Sequence, residues 1–491
     1  MRLANGEMME KANTASLWKN EHWWTSPYNF AEIVTKGRNF SDSIEVHDVT
    51  LRDGEQTPGV VFSKDDKLNI ALNLDSARVH RIEAGMPVVS EEDRLAIKER
   101  LRKYRQENAL DNFKQKGYGA FLGFYEENIR YTTGTRGPPW TRDKPGLRYS
   151  LTISDGDVLL YEQGDNMYHS IRNNPWIKKD NVRYSYGVWI KGASGEATKH
   201  QALKFANDIK QEMKKHGVAD LPLATDFIDF NMLNAFQEVG LELVDGLAAI
   251  HNARAIKCKD EIEAEKLAAL IADNIHFEAL KVLRPGISEN EVMAHLIDYA
   301  YSVRCVDFVE TIIVSSGPNT WPNNRTFTDR IIGYGDLVFI DVVIAWNGYH
   351  TCYYRTYCIG KQPSQEQKDY YKLALNWLYD AINVVKPGIT TKDIANKFPS
   401  AKEIWNYREE EQAAANLWGH GQGLSHYDLP LVSRINSLDY PFPIKEGMVF
   451  ALETQHGQLF KWGVRIEEML VVTESGRDVI TKFPVDEITV V

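Results

Sequence analysis

Phe339-Ile-Asp341-Val-Val-Ile-Ala-Trp-Asn347-Gly348-Tyr-His350-Thr-Cys352-Tyr-Tyr-Arg355-Thr356 reads as a β-hairpin that brings metal-binding side chains to one spot. Asn347-Gly348 is the dipeptide that a type I′ turn selects, and β-rich apolar runs flank it on both sides. Folding about that pair sets Val343 opposite Cys352. Asp341 lies two residues from Val343, so it shares a face with Cys352 across a diagonal of ~7–8 Å that one ion could bridge. A carboxylate in so apolar a strand is costly to bury unless it is paired or ligated. The alternative is a strand-end aspartate that faces water.

Three downstream segments bear on that choice. Gly419-His420-Gly-Gln-Gly-Leu424 is a glycine-flanked histidine where backbone must pass close to something. Glu446-Gly-Met-Val-Phe-Ala-Leu-Glu453 is a turn and an apolar strand ending in a carboxylate, and Gly463-Val-Arg-Ile-Glu467-Glu-Met-Leu-Val-Val472 sets another carboxylate inside a strand. Acids within apolar strands call for a cation, and a shared divalent ion supplies one.

With these motifs in view, the chain from about residue 110 to its end resembles the pita-bread metallopeptidase superfamily of prolidase, methionine aminopeptidase and creatinase. The resemblance takes in Asn128-Ile-Arg-Tyr-Thr-Thr-Gly134, Ser316-Gly-Pro-Asn319, Thr328-Asp-Arg330, Gly335-Asp-Leu-Val-Phe-Ile-Asp341, Gly348-Tyr349 and Arg355-Thr356, then the His420, Glu453 and Glu467 motifs. It implies an α+β chain: a pseudo-symmetric pita-bread catalytic domain preceded by a smaller α/β domain of creatinase type. The ligands it implies are Asp341, His420, Glu453 and Glu467.

The departures are as informative. Cys352 stands where the family has a second aspartate bridging two ions, Asn323 where a histidine follows the Ser-Gly-Pro-Asn motif, and Tyr427, with His426 beside it, where a further histidine lies. Those histidines handle protons and hold the peptide carbonyl in the peptidases, so their loss argues against ordinary dipeptide hydrolysis. Within the superfamily, dimethylsulfoniopropionate lyases depart similarly. They resemble this chain in the spacing of Ser315-Ser-Gly-Pro to Pro322, and their catalytic base falls at the place of His426.

His420, Glu453 and Glu467 suit one ion of iron, manganese or zinc, and Asp341 with Glu467 marks a second position. Cys352 is either a thiolate ligand that favours zinc or iron, or a small apolar filler; His350 is a lesser candidate on the same hairpin face. His426 and Tyr427 are the candidates for proton transfer, and Asn323 can donate a hydrogen bond to an oxyanion. The expectation is a non-peptidase metal-dependent enzyme performing elimination or C–N hydrolysis on a small polar, amino-acid-derived molecule. The alternatives are an Xaa-Pro aminodipeptidase and a non-catalytic ligand-binding protein of the same fold.

A second resemblance lies near the start. His47-Asp-Val-Thr-Leu-Arg52-Asp53-Gly-Glu55-Gln-Thr-Pro-Gly59, with Arg81-Ile-Glu-Ala-Gly-Met-Pro-Val-Val-Ser90, is similar to the opening of isopropylmalate and homocitrate synthases. There Arg52 would polarise a carbonyl, Asp53 would bind a divalent ion and Glu55 would assist. The motif covers about 60 residues of the ~250 that a (β/α)₈ barrel needs, and the family's His-X-His pair is absent, so a fused partial βα fragment is expected.

With 491 residues, 43% of them hydrophobic, the chain can bury the core of two or three domains. The boundaries expected are an arm over 1–45 carrying Trp18, Trp23 and Trp24, the synthase-like fragment over 46–108, the smaller α/β domain over 109–250 and the catalytic domain over 251–491. A net charge of −11 without a basic run disfavours nucleic acid and anionic membrane. No apolar stretch approaches a membrane span or a signal-peptide core. Cys258, Cys305, Cys352 and Cys358 show no pairing pattern, which fits a reducing cytoplasm. The family resemblance implies a homodimer. Ser90-Glu-Glu-Asp to Tyr104 and Asp260 to Val282 read as helices, the second stopped by Arg284-Pro-Gly286. Tyr131, Trp140, Tyr149, Trp176 and Trp189 could wall a site for a cationic headgroup, or serve as ordinary core aromatics.

Overall fold

A computed structural model describes residues 46–51, 54, 62–83, 91–142, 144–186, 195–413 and 416–491, together with Ser26. Arg52, Asp53, Glu55, Trp189 and the N-terminal tryptophans lie outside the described residues. Two compact units divide the chain, residues 1–96 and 97–491. In the first, β1 (His47–Asp48) pairs in parallel with β2 (Arg81–Ile82), and helix Lys64–Ser76 lies between them in sequence. Ser63 starts that helix with a capping box: its Oγ accepts from the Asp66 N–H, and the Asp66 carboxylate accepts from the Ser63 N–H. The result is a single βαβ unit.

The helix expected from Ser90 to Tyr104 spans Glu91–Gln115. After it come β3 (Ala120–Gly123), β4 (Tyr149–Ile153), β5 (Val158–Glu162), β6 (Val182–Tyr184), β7 (Leu223–Thr225) and β8 (Leu243–Asp245). They form one mixed sheet in the order β6-β5-β4-β3-β7-β8. Most of the aromatic surplus is spent on its core. Tyr149 stacks on Tyr161 with ring centres 4.5 Å apart, Tyr131 is buried, and Trp176 donates its Nε1–H to the Thr133 carbonyl at 2.9 Å. Tyr131 and Tyr149 thus serve as ordinary core aromatics, the reading expected for most of these rings, while Trp140 is half exposed.

Helix Lys259–Val282 begins one residue before the sequence reading and stops short of Pro285, which disfavours helix in the residue before it. The chain then lays down β9 (Val306–Ser316), β10 (Leu337–Trp346), β11 (Tyr349–His350), β12 (Tyr354–Cys358), β13 (Gly419–Gly421), β14 (Asp428–Val432), β15 (Val449–Gln458), β16 (Trp462–Thr473), β17 (Gly476–Val479) and β18 (Thr489–Val490). β9–β12 and β18 make one sheet, and β13–β17 make a second in the order β14-β13-β15-β16-β17. Helices Lys259–Val282 and Glu289–Ser302 pack on the first sheet and Gln365–Val384 on the second.

The expected hairpin is present. Asn347 and Gly348 both have positive φ, 47° and 86°, as a type I′ turn requires. The pairs Asp341↔Tyr354 and Ala345↔His350 keep one register, so Cys352 falls opposite Val343. Arg355 and Thr356 then join the two sheets. Thr356 Oγ1 donates to the Arg465 carbonyl at 2.8 Å and accepts from the Arg465 N–H at 3.0 Å. The buried Arg355 guanidinium donates to the Glu467 carbonyl at 2.6 Å and to Glu468 Oε2 at 2.9 Å. These bonds hold β16 against β12, which sets Glu467 within reach of the hairpin. Ser316-Gly-Pro-Asn319 is also structural: buried Glu289 accepts from Ser316 N–H and Oγ, Asn319 Nδ2, and Thr328 N–H and Oγ1.

Candidate active site

Asp341, Cys352 and Glu467 converge in the interior. The Cys352 thiol donates to Asp341 Oδ1 at 3.6 Å and to Glu467 Oε2 at 3.5 Å. Strand register brings in the rest: Glu453 lies opposite Glu467, and His420 lies opposite Ala451, two residues from Glu453 on the same face. His420 Nε2 is 3.9 Å from Glu467 Oε1. Cys352 belongs to two trios whose donor atoms all lie within 4.8 Å of one another, Asp341/Cys352/Glu467 and Cys352/His420/His426. Glu453 stands apart from both. Its Oε2 accepts from Arg465 Nε at 3.1 Å and from Nη2 of the same guanidinium, which lies 4.0 Å from the Tyr354 ring centre.

Burial pushes the Asp341 carboxyl above the usual carboxylate range against the opposing charges of Arg465 and His426. It does the same to Glu467, where Glu453 and Asp341 push further. The Cys352 thiol is raised by burial and then by the three acids, and burial drives His420 down to about 4. Glu467 Oε1 is buried without a hydrogen-bond partner. Acids so placed favour a positive charge among them, and the set of oxygen, nitrogen and sulfur donors fits a divalent cation.

Beside this cluster lies a second arrangement that sequence reasoning missed. Glu310, on β9, places Oε1 3.3 Å from His426 Nδ1 and Oε2 3.4 Å from His350 Nε2. Burial alone would raise the Glu310 carboxyl, but the His426 hydrogen bond and the charges of His426, His350 and Arg142 outweigh it and hold it at about 2. The ionised Glu310 therefore accepts from the His426 Nδ1–H, so that in the neutral ring the lone pair falls on Nε2. That Nε2 is buried and has no hydrogen-bond partner. Burial drives His350 down to about 3, and its Nδ1–H donates to the Gly423 carbonyl at 3.1 Å. His350 is thus tied through Nδ1 to Gly423 and lies in neither group of candidate metal ligands. A glutamate interrupting the apolar run Val306–Ser316 was the available signal.

Tyr427 stacks 4.4 Å from His426 and 4.6 Å from His420, ring centre to ring centre, with 54% of its surface exposed. Burial of its phenol and the nearby Cys352, Glu453, Glu467 and Asp341 raise it, so the hydroxyl stays protonated. Asn323 accepts from the Arg325 N–H at 2.8 Å, and its Nδ2 is buried without a partner. Neither metal trio includes it. Arg465, the other residue missed, alternates with Glu467 on one face of β16, the period-2 signal that a cation serves the same site.

Residues 263–474 match the family model of metallopeptidase family M24, and residues 43–113 match a model described as HMGL-like. The chain is 26% identical to dimethylsulfoniopropionate lyase DddP of Roseovarius nubinhibens, over 79% of this chain and 87% of that protein. It is 30% identical to the uncharacterized peptidase YqhT of Bacillus subtilis, over 76% of this chain and 96% of that one. Among solved structures, an Xaa-Pro dipeptidase from Bacillus anthracis superposes with a TM-score of 0.62 at 22% identity, covering 79% of this chain and all of that one. No helix among the described residues is long and apolar enough to cross a membrane.

Proposed function

This chain belongs to metallopeptidase family M24, the pita-bread class of metal-dependent hydrolases and lyases, and from that premise we propose that it is a lyase acting on a small, polar, amino-acid-derived carboxylate. The observation that carries this reading is the Glu310–His426 pair: a histidine oriented at Nδ1, with Nε2 unpartnered among groups that cluster with His420 and Cys352. Asn323 and Tyr427, at the two places where the peptidases carry histidines, also fit chemistry other than peptide hydrolysis.

His426 Nε2 takes the proton from the carbon next to the substrate carboxylate. The C–H electron pair becomes the new C=C bond, and the leaving group departs from the adjacent carbon with its bonding pair. Glu310 keeps Nδ1 protonated before the transfer and stabilises the imidazolium after it. Tyr427 and Asn323 carry hydrogen-bond donors suited to a substrate oxygen. Asp341, Cys352, His420, Glu453 and Glu467 would hold the divalent cation, whose Lewis acidity would stabilise negative charge developing on the substrate. Iron, manganese or zinc suits that donor set, with thiolate favouring zinc or iron.

Hydrolysis remains the second reading, favoured by the four acid and histidine positions that match the peptidase motifs, Asp341, His420, Glu453 and Glu467. Proton NMR of the metal-loaded enzyme against small carboxylates with a leaving group two carbons from the carboxylate, and against Xaa-Pro dipeptides, separates the two. Elimination gives vinyl protons that disappear with His426→Ala. Dipeptide cleavage without any vinyl product sinks the lyase reading.

A further inference from the structure

We infer that the cleft between the smaller α/β domain and the hairpin is a recognition site for a small monocarboxylate, with Arg142 as its anchor. Arg130, Arg136 and Arg142 all line this cleft, beside Glu127, Phe308 and His350. Two of the three guanidiniums are already engaged. Arg130 Nη1 lies 2.7 Å from Asp307 Oδ2 and its Nη2 donates to the Asn347 carbonyl, while Arg136 Nη1 lies 3.0 Å from Asp307 Oδ1. Arg142 has no carboxylate within ion-pair distance among the described residues. It lies with its guanidinium carbon 4.0 Å from the Phe308 ring centre, and its Nη1 is 3.5 Å from His350 Nε2.

That placement prepares Arg142 for an anion. The Phe308 ring holds the guanidinium plane, so less freedom is lost when a ligand binds. His350 sets Nδ1 3.1 Å from the Gly423 carbonyl and turns Nε2 toward Arg142, which fixes one edge of the guanidinium. The remaining N–H groups form the planar fork that matches a carboxylate. Glu127, a half-buried carboxyl on the same wall that feels the charges of Arg254 and Arg142, disfavours a second anionic group on the ligand. The site also connects to the chemistry. Arg142, His350, Glu310 and His426 follow one another at contacts of 3.5, 3.4 and 3.3 Å, and His350 and His426 lie parallel with ring centres 6.5 Å apart. A carboxylate at Arg142 is therefore a few contacts from the base of the proposed reaction. The inference rests on that reading for its link to turnover.

Binding tests it without turnover. Chelator-treated full-length protein is titrated with propionate, propionamide and malonate, followed by ligand-observed NMR. Propionate is expected to bind, malonate more weakly and propionamide not at all. Arg142→Gln should weaken propionate by about tenfold or more, the scale of a charge-assisted hydrogen-bonded pair. Arg142→Lys keeps the charge and loses the fork, so it should fall between; it carries the test if the glutamine variant does not fold. Equal propionate binding by wild type and both variants overturns the site, as does propionamide binding as well as propionate. Arg142-dependent binding in a protein that gives no vinyl product would remove the lyase reading and leave the carboxylate site standing.

Discussion

Glu453 and Glu467 face each other directly across the β15–β16 pair, and Arg465 engages only the first of them. Like charges opposed on neighbouring strands repel, so this pairing survives only with a cation close by. Arg465 is that cation for Glu453. Glu467 has instead a thiol, a histidine lowered by burial and a second raised carboxyl in Asp341, with Oε1 left without a partner. The cost of ionising the metal-free site is therefore concentrated at Glu467.

Glu467→Gln should separate stability from metal binding. With the raised carboxyl replaced by a neutral amide, the metal-free variant should unfold at a temperature no lower than metal-free wild type, since a buried carboxyl without a cation contributes nothing that the amide lacks. Wild type should gain thermal stability on adding divalent metal, and the variant should gain almost none. Elemental analysis alongside the melts checks the result. A full metal complement in the variant would remove Glu467 from the ligand set.

Arg465→Leu acts in the opposite sense. It leaves Glu453 buried without its only ion pair among the described residues, which should cost the metal-free protein about 3–5 kcal/mol in urea unfolding. Divalent metal should recover part of that loss, because the freed carboxylate then turns toward the cluster. The same loss with and without metal would mean that Glu453 serves Arg465 alone.

The hairpin was legible because one dipeptide, Asn347-Gly348, imposes both the turn and the register, and register alone sets Asp341 diagonal to Cys352. Helix Lys259–Val282 was legible for similarly local reasons, an amphipathic period and a proline stop. Glu453 and Glu467 could be read as acids inside apolar strands, but that Arg465 takes one of them depends on which strands pair. Glu310 was missed for the same reason: its contact with His426 spans 116 residues and is created by the approach of β9 to the segment after β13. The tyrosines and tryptophans of the smaller domain showed a surplus without a direction, and packing used most of it as core.

Cobalt(II) can decide what Cys352 does. If the thiol ionises onto a metal, cobalt-loaded wild type should show a sulfur-to-metal charge-transfer band in the near ultraviolet that Cys352→Ser and Cys352→Asp both lack. The aspartate variant, restoring a carboxylate between Asp341 and Glu467, should bind a second ion more tightly than wild type by competition with a chelator. Identical spectra in all three proteins would make Cys352 a filler, its thiol hydrogen-bonded to two acids and no more.

Glu310→Gln should show in both pH-dependent stability and rate. The Glu310 carboxyl is held at about 2 against an ordinary 4.5, so the folded state releases that proton more readily than the unfolded one. A lowered carboxylate stabilises the fold above its unfolded value and loses that contribution as pH falls through its folded value. The urea midpoint of metal-free wild type should therefore exceed that of the variant by a constant margin near neutrality. The margin should shrink between 4.5 and about 2 and vanish below that. It should be small throughout, since the Glu310 side chain is 35% exposed and partly screened. The effect on rate should be the larger one. A neutral amide no longer fixes the His426 tautomer or stabilises its imidazolium, so kcat should lose part of the ~10²–10⁴-fold that a positioned base supplies, with KM little changed. A variant with the acid-stability change but wild-type kcat would confine Glu310 to the fold and leave His426 without its orienting group.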